Sequence, residues 1–347
     1  VTTSRADCAA LIRLVELADL VVPLALRTAA ELNVADHLSD ATRSIAELAA
    51  LTRTDARALH ALLRCLASKG VFVEPETGRF ALTPLAELLT SRHPLSLRDA
   101  FPLMAADLLA WARLDLSLHT GRPAFPAVHG QPFWDYMRDH PQASDRMDRA
   151  LESANRLIVR MFSRLYEWDR IVVLVDVGGG NGSFLAGLLA HYPGMHGVVF
   201  DQPHVVAAAA RVLEAAGVRA RCEVAVGSFF DHVPPGGDAY LLKTILHDWD
   251  DRDALRILHA VRAAMAPDGR LLLIEALIPP GNRYDVGKLL DLNSFVLAGG
   301  QDRSEQQFDD LLGAAGFRLD RVLRTTNALA LMEARPRTGV ERSARDR

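Results

Sequence analysis

The stretch Val175-Asp176-Val177-Gly178-Gly179-Gly180-Asn181-Gly182 decides the fold of this chain. It closes the apolar run from Ile171 to Val177 and leads into a helical pattern. Strand, glycine turn and helix is where a nucleotide-binding loop belongs in an open α/β sheet. Glycines let the backbone turn tightly and approach a ligand with no side chain in the way. Four glycines in five positions are costly in backbone entropy unless something needs them. The spacing is G-x-G-x-G. A dinucleotide fingerprint asks for glycine or alanine at position 183, where Ser183 stands.

Working outward, His196 to Asp201, Cys222 to Val226, Ala239 to Lys243 and Arg270 to Leu277 are further strand candidates, with helical stretches between most of them. That alternation predicts a parallel sheet covered by helices on both faces. Residues 166–335 form this α/β domain. Residues 96–165 read as helical, with breaks at Pro94, Pro123, Pro126, Pro132 and Pro141. Their bulky residues, Trp111, Phe125, Phe133, Tyr136 and Met147 among them, divide between core and the lining of a ligand pocket. Residues 1–95 begin with an apolar helical region from Leu11 to Leu32. Leu17, Leu20, Val21, Leu24 and Ala25 lie on one broad face, which predicts a homodimer built from this third of the chain. A helix from Ser44, a second capped at Thr54-Asp55 with Leu59, Leu62, Leu63 and Leu66 on one face, and a hairpin across Pro75-Glu76-Thr77-Gly78 follow. Helix, turn, helix and two-stranded wing is the winged-helix pattern. Residues 336–347 are polar and Arg-rich and are expected to be disordered.

With 347 residues, half of them apolar, the chain has ample material for a large core. A net charge of -4 argues against a surface that coats nucleic acid. Five charges between Leu11 and Leu32 exclude a membrane span there, and the first residues carry no secretory pattern. Cys8, Cys65 and Cys222 are scattered, which excludes a disulfide scaffold and fits a reducing, cytoplasmic location.

Asp201 ends the strand after the glycine loop, where an acid can accept both ribose hydroxyls of an adenosine. NAD and S-adenosylmethionine share that feature, so Asp201 leaves both open. Alternatively, it caps a helix before Pro203. His247 follows the strand ending at Lys243 and so lies at the carboxyl edge of the sheet, beside Asp248 and Trp249. Asp250 and Asp251 read as cap and dipole residues of the next helix. No metal-ligand cluster is visible in the sequence.

Five segments carry a resemblance: Asp176 to Gly182, Phe200-Asp201-Gln202-Pro203-His204-Val205, Gly227-Ser228-Phe229-Phe230, Lys243 to Asp251, and Gly299-Gly300-Gln301-Asp302-Arg303-Ser304. In this order they resemble the class II, cation-independent small-molecule O-methyltransferases, which include plant phenol methyltransferases and bacterial antibiotic-tailoring enzymes. The resemblance spans nearly the whole chain. It implies a Rossmann-like methyltransferase domain with a mostly parallel seven-stranded sheet, preceded by a winged-helix-like dimerisation domain. It further implies that Gly178 and Gly180 cradle the methionine part of S-adenosylmethionine, and that Asp201 holds its ribose. Ser228 and Phe229 meet the adenine, and Lys243 faces the same cleft. On the same resemblance, His247 would be the general base, flanked and oriented by Glu275 and Asp302. Ser228 stands where many relatives have Asp, and Asp302 where many have Glu. The resemblance also implies a small aromatic acceptor.

Three other readings compete. An NAD-dependent oxidoreductase shares the glycine loop and Asp201 but lacks a Tyr-x-x-x-Lys pair here. A winged-helix DNA-binding regulator would use Arg57, His60 and Arg64, set against the acidic balance of the chain. A relative repurposed for N-methylation, decarboxylation or hydroxylation is the third. Retention of His247 favours methyl transfer over decarboxylation or hydroxylation.

Overall fold

The computed structural model describes residues 5–102, 104–326 and 328–337. The chain divides into two compact units, Val1–Leu103 with Arg149–Ala154, and Met104–Asp148 with Asn155–Arg347.

In the first unit the apolar N-terminal region is two helices, Arg5–Leu17 and Val21–Glu31. The break between them is capped by Asp19, whose carboxylate accepts from the N–H groups of Val21 and Val22, each at 2.9 Å. The expected apolar face is therefore split. Leu17, Leu20 and Val21 are exposed, as are Leu11 and Leu14, whereas Leu24 and Ala25 are half-buried. Helix Ile45–Thr52 opens on a capping box, with Ser44 accepting from Glu47 N–H and Glu47 accepting from Ser44 N–H. Asp55 caps helix Ala56–Ser68, which buries Leu59, Leu63 and Leu66. Strands β1 (Arg43–Ser44), β2 (Phe72–Glu76) and β3 (Arg79–Leu82) pair antiparallel in the order β1-β3-β2. β2 runs on through Pro75 because its ladder is irregular between Val73 and Glu76, which spares the proline a backbone donor. His60 Nε2 lies 3.2 Å from Glu74 Oε1 and is engaged within this unit.

The second unit holds β4 (Val173–Val177), β5 (His196–Asp201), β6 (Cys222–Val226), β7 (Ala239–Lys243), β8 (Arg270–Ala276), β9 (Phe317–Arg324) and β10 (Leu329–Pro336). They form one sheet in the order β6-β5-β4-β7-β8-β10-β9. β4 to β8 pair in parallel. β10 pairs antiparallel with both β8 and β9. The central strands are nearly continuous apolar runs because both their faces are covered; Leu174, Val175, Leu241, Leu242 and Leu271 to Ile274 are inaccessible to solvent. The residue pattern alone did not single out β9 and β10. Arg318, Asp320, Arg321 and Arg324 interrupt β9, an edge strand whose charged side chains reach water. Pro336, at the start of the expected tail, belongs to β10 and pairs with Phe317. Arg337 follows it, its N–H donating to Gly316 O at 2.8 Å, and residues 338–347 of that tail lie outside the described residues.

Within residues 104–148, Met104, Phe125, Phe133 and Met137 pack with Val296 and Leu297 of helix Val286–Ala298. Pro126 does not break the chain here. It sits in the first turn of helix Ala124–His129, where its missing N–H would have had no partner anyway. Among the described residues no helix is long and apolar enough to cross a membrane.

The sheet order places β5 on one side of β4 and β7 on the other. That is a topological switch point, and it opens a crevice at the carboxyl ends of β4 and β7. The glycine loop follows the first of these strands and the His247 segment follows the second, so both motifs reach the same crevice.

Candidate active site

Gly178, Gly180 and Gly182 all have left-handed backbone, at φ of 73°, 61° and 76°. The turn brings Gly178 N–H to 2.8 Å and Gly179 N–H to 3.2 Å from Phe200 O on β5. Gly180 N–H donates to Asp201 Oδ2 at 2.9 Å, and Gln202 N–H donates to Oδ1 at 2.7 Å. Asp201 therefore braces the glycine loop and does not cap a helix. Each carboxylate oxygen keeps a lone pair, enough for two hydroxyls. A Cβ at Gly180 would meet nothing within 4 Å, so the loop faces open space there. At Gly178 a Cβ would collide with Ile245 and come within 3.5 Å of the Phe229 ring. Phe229 packs edge-on to Phe230 with centroids 5.0 Å apart. Ser228 Oγ accepts from Phe230 N–H at 3.2 Å and keeps its own hydroxyl proton to donate.

Beneath the loop Asp176 is buried, and among the described residues its Oδ2 has no hydrogen-bond partner. Burial pushes its carboxyl up to about 7, against the pull of Lys243. Lys243 Nζ donates to Thr244 Oγ1 at 3.1 Å, and burial pulls its ammonium below the usual range. Thr244 itself has φ of 51°, a rare backbone for a β-branched residue and a local strain.

The segment carrying His247 is held by its backbone from two sides. Glu275, fully buried at the end of β8, accepts from Ile245 N–H at 2.9 Å and from Leu246 N–H at 2.8 Å. Arg303, also buried, donates to Leu246 O at 2.8 Å and Trp249 O at 2.9 Å, and pairs with Asp251. Gln301 N–H donates to His247 O at 2.8 Å. Asp250 caps the helix Asp251–Ala264, as its sequence pattern predicts.

The imidazole is mostly buried among acids. Nε2 is 3.6 Å from Asp248 Oδ1, and Nδ1 is 3.8 Å from Asp302 Oδ1. Ser294 Oγ, on helix Val286–Ala298, is 3.4 Å from Nδ1. Burial disfavours the charged ring, but Asp248, Glu275 and Asp302 outweigh it and raise its pKa. Among the described residues neither Asp302 carboxyl oxygen has a hydrogen-bond partner, and burial pushes this group up to about 7.

The structure thus gathers Gly178, Gly180, Asp201, Ser228 and Phe229 around the loop after β4. It gathers His247, Glu275 and Asp302 around the turn after β7, and sets Lys243 beside Asp176. Asp302 lies beside the imidazole, whereas the hydrogen bonds of Glu275 go to the backbone of the His247 segment. Sequence reasoning did not single out Ser294, which has no local signal within a helical pattern. It quoted Arg303 only within a longer match, and passed over the hydrogen bond from Trp111 Nε1 to Asn293 Oδ1 at 3.1 Å.

Residues 111–318 match the O-methyltransferase domain, and residues 15–92 match the O-methyltransferase dimerisation domain. The chain is 40% identical over 316 residues to a phenazine O-methyltransferase of Lysobacter antibioticus, covering 91% of this chain and 93% of the relative. It is 37% identical over 327 residues to an 8-amino-8-demethylriboflavin N,N-dimethyltransferase of Streptomyces davaonensis, covering 92% and 94%. An O-methyltransferase from neocarzinostatin biosynthesis, solved with S-adenosylmethionine and 2-hydroxy-5-methyl naphthoic acid, superposes with a TM-score of 0.79 at 32% identity. That match covers 93% of this chain and 98% of the other. The open glycine cradle, the acid at the end of β5 and the adjacent aromatic ring fit S-adenosylmethionine. The chain is a member of the S-adenosylmethionine-dependent small-molecule O-methyltransferases, with their dimerisation domain at its N-terminal end.

Proposed function

We propose that this enzyme methylates a phenolic hydroxyl of an aromatic natural-product precursor, with His247 as general base. When bound, S-adenosylmethionine supplies an electrophilic methyl group on its sulfonium. Gly178 and Gly180 would cradle its methionine part, Asp201 its ribose, Ser228 and Phe229 its adenine, with Lys243 in the same cleft. A phenol with a pKa of about 10 is only roughly 0.1% ionised at neutral pH, a shortfall of about 4 kcal/mol. The imidazole accepts that proton as the oxygen attacks. Asp248, Glu275 and Asp302 then stabilise the imidazolium. The observation that carries this reading is an imidazole beside Asp248 and Asp302, with the buried Glu275 acting on it by charge, at the switch-point crevice that also holds the glycine loop. The N-terminal unit, with its exposed Leu11, Leu14, Leu17 and Leu20, would pair with a second copy of the chain.

An amine acceptor is the second reading, supported by the likeness to a riboflavin N,N-dimethyltransferase. A neutral amine attacks through its own lone pair and needs no prior base. Transfer of labelled methyl to a panel of hydroxylated and amino aromatic precursors, with wild type and His247→Ala, separates the two. General-base loss lowers turnover about 10²- to 10⁴-fold, while calorimetric affinity for S-adenosylmethionine stays near wild type. A His247→Ala enzyme with wild-type turnover would overturn the phenol reading.

A further inference from the structure

Ser294 is buried in the interior of helix Val286–Ala298. A serine inside a helix commonly turns its hydroxyl back to the carbonyl one turn earlier. Ser294 does not. Among the described residues its hydroxyl has one hydrogen-bond partner, His247 Nδ1, at 3.4 Å. Among the described residues the imidazole in turn has no hydrogen bond to a carboxylate. Asp248 at 3.6 Å and Asp302 at 3.8 Å are longer contacts than Ser294, close enough to act through their charge. Glu275 spends one oxygen on the backbone of Ile245 and Leu246.

A neutral imidazole carries its proton on one nitrogen and its lone pair on the other. The carboxylates raise the basicity of the ring as a whole, but no hydrogen bond from them decides which nitrogen is basic. We propose that Ser294 is a positioning residue: its hydroxyl oxygen accepts Nδ1–H of His247 and so keeps the lone pair on Nε2 for the acceptor proton. The division of labour is physical. Asp248, Glu275 and Asp302, against Lys243, set how strongly the ring holds a proton; a neutral hydroxyl sets where. With S-adenosylmethionine bound, the acceptor O–H bond would break and its proton pass to Nε2, while an oxygen electron pair would form the bond to the methyl carbon as the methyl–sulfur bond breaks and leaves its pair on sulfur, giving S-adenosylhomocysteine. Ser294 neither gains nor loses a proton.

This inference rests on His247 being the base, so its test must fail separately. Nitrogen NMR of histidine-labelled enzyme, above the titration of the ring, reads the tautomer directly and requires no turnover. Wild type should carry the proton on Nδ1. Ser294→Ala should show a mixture of tautomers and a turnover about 2- to 10-fold lower, the worth of one neutral hydrogen bond. Its KM for S-adenosylmethionine should be unchanged, and Ser294→Thr should restore most of the turnover. A proton on Nε2 in neutral wild-type enzyme overturns the proposal even if the alanine variant fails to fold. So does a Ser294→Ala enzyme with wild-type tautomer and turnover. A His247→Ala enzyme with full turnover would instead remove the base reading itself.

Discussion

Glu275 Oε1 lies 2.8 Å from Leu246 N, one residue before the histidine that the sequence places at the reacting centre. The acid at the end of β8 thus holds the His247 segment by its peptide groups, with Ile245 N–H as a second donor at 2.9 Å. Glu275→Ala would leave two buried donors unpaired, at about 1–3 kcal/mol each. Urea unfolding should show most of that loss, and turnover should fall with it. Glu275→Gln keeps an accepting oxygen and should keep most of the stability. Equal stability of Glu275→Ala and wild type would refute this role.

Asp201 braces the glycine loop, and on the proposed reading it would also hold the ribose of the cofactor. Asp201→Ala removes the partner of Gly180 N–H and, with it, the acceptor proposed for the ribose hydroxyls. Charge-assisted hydrogen bonds are worth about 1.5–3 kcal/mol, so calorimetry should show S-adenosylmethionine and S-adenosylhomocysteine bound at least about tenfold more weakly. Unchanged affinity for both would reassign the residue to loop bracing alone.

Two glycines with similar backbone should respond differently to alanine. Both are left-handed, which costs an L-residue about 1–2 kcal/mol. At Gly178 the added methyl also meets Ile245, whereas at Gly180 it meets open space. Gly178→Ala should therefore lose stability and cofactor affinity together. Gly180→Ala should lose mainly affinity, because its methyl projects into the cradle. Thermal unfolding read beside calorimetry tests the contrast, which fails if the two variants are equally destabilised.

Stability and turnover should move in opposite directions with pH. Burial raises the Asp302 carboxyl to about 7, so the folded chain keeps a proton there that the unfolded chain releases near the ordinary value of 3.8. Stability contributed by that group falls as pH rises between those two values. His247 is also raised: its contribution is present below the ordinary imidazole value and lost as pH rises through the folded one. Turnover instead rises over the latter range, because a protonated imidazole cannot serve as base. Asp302→Asn should narrow the difference in Tm between about pH 5 and about pH 8. An Asp302→Asn enzyme whose Tm tracks pH as wild type does would count against the assignment.

Leu14 and Leu17 are 68% and 67% exposed in the single chain. If a second copy covers them, Leu14→Glu with Leu17→Glu should give monomers by light scattering at micromolar concentration. The isolated fold should lose little, since neither side chain is buried within it. A wild-type monomer under the same conditions would remove the pairing proposal.

The parallel sheet was legible because its strands are buried on both faces and must be written in apolar residues, from Val173–Val177 to Arg270–Ala276. The glycine loop was legible because few other residues tolerate its backbone, and the helix caps at Ser44, Asp55 and Asp250 because a first turn needs an acceptor beside it. The edge strand Phe317–Arg324 was not, since half its side chains face water and carry no apolar pattern. Nor could spacing say what each acid near His247 does. Glu275 and Asp302 stand 28 and 55 positions after that histidine and read alike in sequence. Only the packing sends one to the peptide groups of the segment and sets the other beside the ring. Ser294 and Arg303 mark the same limit: a hydroxyl or a guanidinium is defined by its partners, and those are set by the tertiary contacts of a helix and a loop distant in the chain.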